Sequence, residues 1–291
     1  MNVCEFCGNH KFIFLGKAVF INKLCDVIQC EICKNVVKDC KIEDDELLKF
    51  YQNIEHDNYK IYKNKLERQK FFLKKNINFK NIDSVLEIGP GNKGLFSMLP
   101  DNVKKTSCEI DKSAIEKLKK RGIENFTSLD YINKKFDLII ASHVIEHITE
   151  DISIYIKKLY ELLNNGGVIF IEVPTASSEL MIYKNKLINH DFSRGHKRSS
   201  YKVSYEKFFE NINISKFIIY EDNTLLRNIE YNSRFKYSKI LSYLCENRNS
   251  RIYFFKNFFS FAYNFFISLI SIILIKILKI PPNNLKILIY K

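Results

Sequence analysis

The stretch SVLEIGPGNKG, residues 84–94, decides how the chain is read. A short apolar run passes straight into glycines, the pattern of a buried strand that ends in a tight turn. Gly89, Gly91 and Gly94 spell G-x-G-x-x-G, and glycines at such a turn let the backbone reverse sharply and come close to a ligand. Glu109 lies twenty residues past Gly89, where nucleotide-binding folds carry an acid for the ribose hydroxyls. The glycine string alone fits a dinucleotide as well as any other nucleoside cofactor.

Strand and helix signals alternate downstream. TSCEID (106–111) reads as a second strand, KSAIEKLKKRG (112–122) as a helix closed by Gly122, NFTSLD (125–130) as a third strand and FDLIIAS (136–142) as a fourth. The segment that begins SHVIEHITEDISIY at Ser142 reads as helical to Gly166, and GVIFIEV (167–173) as a fifth strand stopped by Pro174. KFIIYE (216–221) and LKILIY (285–290) read as two more strands. Strands alternating with helices of this length predict βαβ units and a parallel sheet.

Three features narrow the choice of cofactor. Glu87 stands two residues before the first glycine, where dinucleotide folds usually carry another apolar residue. Asp130 follows the third strand, placed to reach an adenine edge. The fourth strand runs straight into HVIEHI, and LLNNGGVIFIEVP announces the fifth. This ordered set resembles the class I S-adenosylmethionine-dependent methyltransferases, especially the bacterial group acting on small molecules, sugars and lipids, over roughly residues 83–225 and the last strand. The resemblance implies a doubly wound α/β, Rossmann-like sheet of seven strands in the order 3-2-1-4-5-7-6, the last strand antiparallel. It implies S-adenosylmethionine as cofactor, with Glu87 orienting the loop and the methionine end and Gly89 and Gly91 admitting the ligand. Glu109 would hold both ribose hydroxyls, Asp130 the adenine amino group with Tyr131 as a ring neighbour, and Ser142 and His143 the methionine side. In the family the third glycine falls where Lys93 stands; here it comes one residue later, at Gly94.

His143-Val-Ile-Glu146-His147 also spells H-x-x-E-H, a zinc-peptidase string. On a helix, His143 and His147 would share a face at i, i+4. The string caps a strand of a cofactor fold, however, and no distal third ligand is evident in the sequence. Methyl transfer needs alignment above all, and an oxygen acceptor also needs a general base. His196 in the loop HDFSRGHKR (190–198), His147 and Glu146 are the candidate catalytic residues. Arg194, Lys197 and Arg198 are candidates for binding a phosphate or carboxylate on the substrate.

Six of the eight cysteines lie within residues 1–42. Cys4-x-x-Cys7 and Cys30-x-x-Cys33, twenty-two residues apart, have the spacing of two knuckles around one structural zinc. Four thiolates leave no position open for water. Cys25 and Cys40 are surplus to that set. With no signal-peptide pattern in MNVCEFCGNHKF, a reducing cytosol is the expected compartment.

The expected domains are a zinc ribbon (1–42), a helical linker (43–80) and the catalytic domain (81–291), which carries an apolar helical insertion at 228–283. Within that insertion residues 258–275 hold no charge, and the flanking lysines suggest a hairpin or surface helix touching the inner face of the membrane. The net charge of +13 favours an anionic partner. The leading expectation is methylation of a small molecule: a sugar, a sugar nucleotide or a lipid-linked surface-glycan precursor. An RNA methyltransferase is the second reading. Against it stand the missing N-P-P-[YF] sequence after the fourth strand, the missing aromatic-rich basic groove and the apolar run, so nucleic acid is not the expected partner. The third reading is a non-enzymatic interaction protein built on the ribbon.

Overall fold

The computed structural model of the chain describes residues 2–43, 46, 47, 49, 50, 59–92, 94–177, 180, 195–222, 282 and 284–291. Met1–Tyr220 and Leu285–Lys291 form one compact unit; Glu221–Asn284 form a second, which lies almost wholly outside the described residues. The apolar run at 258–275 lies outside them too, as do Lys93 and the loop residues 190–194. Among the described residues no helix is long and apolar enough to cross a membrane.

The chain opens with strands β1 (Phe12–Phe20), β2 (Lys23–Cys30) and β3 (Val36–Asp39), followed by helix α1 (Tyr59–Asn76). Then come β4 (Ser84–Ile88), β5 (Lys104–Cys108), α2 (Lys112–Lys120), β6 (Glu124–Phe126), β7 (Phe136–Ser142), α3 (Ile152–Glu161) and β8 (Leu163–Pro174). The two-residue strand β9 (Arg198–Ser199), α4 (Lys202–Asn211), β10 (Phe217–Asp222) and β11 (Asn284–Tyr290) complete the order. The large sheet has seven strands in the order β6-β5-β4-β7-β8-β11-β10, with β4 to β8 parallel and the last strand antiparallel, as the sequence led us to expect.

Alternation along the central strands sorts the core into two layers, because successive side chains leave a strand on opposite faces. Val85, Leu138, Ile140, Val168 and Phe170 pack on one face with Phe72 and Leu73 of α1 and Leu118 of α2. Leu86, Ile139, Ala141, Ile169 and Ile171 pack on the other with α3 and α4. Strands buried on both faces read as continuous apolar runs, which is why FDLIIAS and GVIFIEV are legible as strands at all.

One segment departs from its sequence reading. Residues 142–166 do not form a single helix. Ile145–His147 make one 3-10 turn, α3 spans Ile152–Glu161, and β8 already begins at Leu163. The break comes from His143, whose φ of +55° no α-helix accommodates. His143 and His147 therefore do not share a helical face.

The N-terminal strands form a second sheet, β1-β2-β3-β9, whose fourth strand arrives from far along the chain. Phe6 sits against Tyr205 and Phe208 of α4, with ring centroids 5.3 and 4.8 Å apart, and the Ser204 hydroxyl donates to the Cys33 carbonyl at 2.7 Å. Buried Arg198 is the main polar tie. Its Nε and Nη2 donate to the two carboxylate oxygens of Glu5 at 2.8 and 3.0 Å, and its Nη1 donates to the carbonyls of Ile145 and Ile148. Arg198→Ala is expected to cost about 3–5 kcal/mol, since it strands the largely buried Glu5 carboxylate; urea denaturation of the variant measures this.

Candidate active site

The turn after β4 is built by Glu87. Its buried carboxylate accepts from the backbone N–H groups of Leu95 and Phe96 at 2.7 and 2.8 Å, fixing the start of a short 3-10 helix at Leu95–Met98. Gly94 has φ +61°, and a Cβ there would fall 2.8 Å from Glu87 Oε2 and 2.9 Å from Pro90 Cβ. That contact explains why the third glycine stands at Gly94: this is where the chain crosses its own carboxylate. Glu87 supports the loop and is not among the residues that line the cavity beyond it.

That cavity, of about 600 Å³, opens at the C-terminal ends of β4 and β5. In open α/β sheets this is where ligands bind. Gly89, Gly91, Glu109, Asp130, His143 and His147 all line it. Gly89 and Gly91 have φ of +57° and +59°; a Cβ on Gly89 would fall 3.0 Å from Val144 Cγ2, whereas one on Gly91 would meet nothing within 4 Å among the described residues.

Glu109 is held rigidly. Oε2 accepts from Gly91 N at 2.9 Å, and Oε1 accepts from Ile110 N and Asp111 N at 2.8 and 2.9 Å. A carboxylate offers about four acceptor positions, so one remains for a ligand hydroxyl. A second hydroxyl must share the position that Gly91 N–H now uses. Asp130 lies at the rim, paired with Lys158 Nζ at 2.8 Å, and that hydrogen bond lowers its pKa. Tyr131 is exposed and does not line the cavity. Ser142 also stands outside the lining. Its hydroxyl accepts from Gln69 of α1, which donates to Glu172 of β8 at 2.6 Å as well. Gln69, buried and bonded to the ends of two strands, escapes a sequence reading because nothing marks one polar residue in a charged helix as inward-facing.

Glu146, His147 and His196 are brought together, with one ligand atom of each lying within 4.8 Å of the others. The His147 and His196 rings meet edge to face, their centroids 4.7 Å apart. His147 Nδ1 lies 2.7 Å from the Gly195 carbonyl, and His143 Nδ1 lies 3.2 Å from Glu146 Oε1. Burial pushes His147 from its ordinary 6.5 down to about 4 and lowers His196 as well. Above pH 6.5 the His147 ring is neutral in the folded and the unfolded chain alike, and its burial carries no charge penalty. As pH falls from 6.5 toward 4 the unfolded chain takes up the proton first, and stability is lost. The melting temperature is expected to drop across this window, and less steeply in His147→Gln.

Two of the three candidate substrate-binding cations are already used inside the protein. Arg198 ties Glu5 to the Ile145–Ile148 turn, and Lys197 Nζ donates to the Cys40 carbonyl at 2.7 Å, with burial lowering its pKa. Neither presents a charge for a substrate phosphate, which corrects the expectation drawn from the sequence. Arg194 lies outside the described residues.

At the N-terminus, Cys4, Cys7, Cys30 and Cys33 converge. Cys4 and Cys33 sulfurs are 3.6 Å apart, Cys7 and Cys30 sulfurs are 3.6 Å apart, and all four lie within 4.8 Å of one another. Sulfurs at about 2.3 Å from a tetrahedral zinc stand about 3.8 Å apart, so the four thiols fit that ion. The contact with Cys33 lowers Cys4 to about 6 and raises Cys33. Cys25 and Cys40, surplus in the sequence reading, are joined as a disulfide with Cα atoms 5.4 Å apart. Such a bond forms under oxidising conditions, which the expectation of a reducing compartment does not anticipate.

Residues 54–216 match a family described as a methyltransferase domain. Among solved structures, the chain is similar to a SAM-dependent methyltransferase from Archaeoglobus fulgidus, with 18% identity, 81% of this chain and 100% of that one covered, and a TM-score of 0.49. It is also similar to the plantazolicin methyltransferase BamL (16% identity, 86% and 91% covered, TM-score 0.49). A third is the N-methyltransferase NodS from Bradyrhizobium japonicum (12% identity, 78% and 96% covered, TM-score 0.42). No curated protein matches the chain.

Proposed function

The chain belongs to the methyltransferase-domain family and is an S-adenosylmethionine-dependent methyltransferase, and from that premise we propose that it methylates a hydroxyl of a small molecule: a sugar, a sugar nucleotide or a lipid-linked glycan precursor. The observation that carries this reading is a cavity lined by both a fixed carboxylate, Glu109, and His147, which belongs to a buried cluster with Glu146 and His196. Glu109, locked by three backbone donors, is the ribose contact. Gly89 and Gly91 admit the ligand, and Asp130 closes the adenine end at the rim. S-adenosylmethionine supplies an electrophilic methyl group when bound. His147 and His196, neutral through burial, can accept a hydroxyl proton, and the Glu146 carboxylate beside them works against the loss of basicity that burial causes; an amine acceptor needs no such cluster once it is neutral.

The four N-terminal cysteines hold one structural zinc in this reading. It shapes the ribbon, and through Phe6 and Glu5 it supports the loop that carries His196. Transfer of labelled methyl groups to a panel of sugar nucleotides, lipid-linked sugars, small amines and RNA tests the acceptor class. Label in the sugar-bearing acceptors is expected. Label confined to amines or to RNA would overturn it.

A further inference from the structure

We infer that Glu146, His147 and His196 form a binding site for a divalent transition cation beside the cofactor cavity, which it meets through His147, separate from the cysteine site. Glu146 is 2% exposed, and neither of its carboxylate oxygens has a hydrogen-bond partner among the described residues. A buried carboxylate without hydrogen bonds is costly unless a cation meets it. The neighbours that approach it are imidazoles: His143 Nδ1 at 3.2 Å and His196 Nε2 at 4.0 Å from Oε1.

The imidazoles are positioned as metal ligands are. His147 Nδ1 meets the Gly195 carbonyl at 2.7 Å. Donation of one ring N–H to a backbone carbonyl fixes the tautomer that leaves Nε2 as the ligand atom. The loop bearing His196 is clamped against the Glu146 turn, since Lys197 N donates to the Glu146 carbonyl at 2.8 Å and Arg198 Nη1 to the carbonyl of Ile145. Gly195 suits that approach, because a Cβ there would lie 3.3 Å from His147 Nδ1 and push the ring back by a few tenths of an ångström. Ligand atoms within 4.8 Å need to close to about 3.0–3.4 Å around an ion with bonds near 2.1 Å, a shift that side-chain rotation supplies.

Two imidazoles and one carboxylate select a first-row ion such as Mn²⁺ or Fe²⁺ and leave positions open. With His147 lining the cavity, those positions face the acceptor. The role in catalysis rests on the methyl-transfer reading; the binding of the ion does not. The cation lowers the pKa of an acceptor hydroxyl. With the ion bound, His147 and His196 serve as its ligands in place of acting as the base; the hydroxyl proton passes to solvent water, the oxygen's electron pair forms the new O–CH₃ bond, and the S–CH₃ pair stays on sulfur as S-adenosylhomocysteine leaves. The acceptor class that fits is a hydroxyl compound with a neighbouring oxygen able to chelate.

The test titrates Mn²⁺ into the full chain, because a four-thiolate site disfavours this ion. Loss of the free-ion electron paramagnetic resonance signal counts the bound ions. One Mn²⁺ per chain is expected, with affinity weakened at least tenfold in both Glu146→Gln and His196→Gln. In the wild type alone, bound Mn²⁺ should broaden the ring-proton resonances of His147 and His196 and spare His10. Undiminished free Mn²⁺ at millimolar protein, or broadening that spares His147 and His196, would overturn the site. Calorimetry with S-adenosylmethionine on the same samples separates the two readings. Mn²⁺ binding without cofactor binding removes the catalytic role and keeps the site; cofactor binding without Mn²⁺ binding removes the site and its catalytic role and leaves the methyl-transfer reading standing.

Discussion

Serine at both Cys4 and Cys7 is expected to abolish zinc binding and unfold the β1-β2-β3-β9 sheet. Purified wild-type protein should carry about one zinc per chain, and the variant none. The effect is large because a ribbon this short buries little apolar surface of its own, and zinc supplies about 10–16 kcal/mol of apparent binding energy in comparable peptide sites. Phe6, Cys4, Cys30 and Cys33 belong to the same apolar cluster as Tyr205 and Phe208, so release of the metal also exposes α4. Hydrogen exchange should show loss of protection in β1 to β3 and α4, while β4 and β7 stay protected. The Cys25–Cys40 bond keeps β2 linked to the segment after β3, so the loss is local unfolding of a still cross-linked segment.

The second large effect is at Glu109. Glu109→Ala removes the acceptor for a ligand hydroxyl and leaves the N–H groups of Gly91, Ile110 and Asp111 without their partner. Charge-assisted hydrogen bonds are worth about 1.5–3 kcal/mol each, and the turn at Gly91 loses its anchor besides. Affinity for S-adenosylmethionine is expected to fall at least a hundredfold. The comparison with Asp130→Ala is informative, because Asp130 is exposed and already paired with Lys158; that change should weaken binding only several-fold.

The sheet is legible in the sequence because its central strands are short apolar runs with glycine ends. Val85, Ile139 and Ile169 announce buried strands without any tertiary knowledge. Gly89, Gly91, Glu109 and Asp130 are marked by their spacing, and all four line one cavity. What stays hidden depends on contacts distant in sequence. Arg198 reads as a loop cation, yet its partner Glu5 lies 193 residues away. His196 gives the H-x-x-E-H string its third group from a segment that no local period connects to it. The 142–166 segment misleads for another reason. Its apolar spacing is helical, but the left-handed backbone at His143 and the early start of β8 override that preference.

Calorimetric titration of the wild-type chain with S-adenosylmethionine and, separately, with NAD tests the cofactor corner most directly. The Gly91–Glu109 arrangement predicts saturable binding of one S-adenosylmethionine per chain and no heat from NAD. Saturable NAD binding, or no S-adenosylmethionine binding by a folded chain, would contradict it.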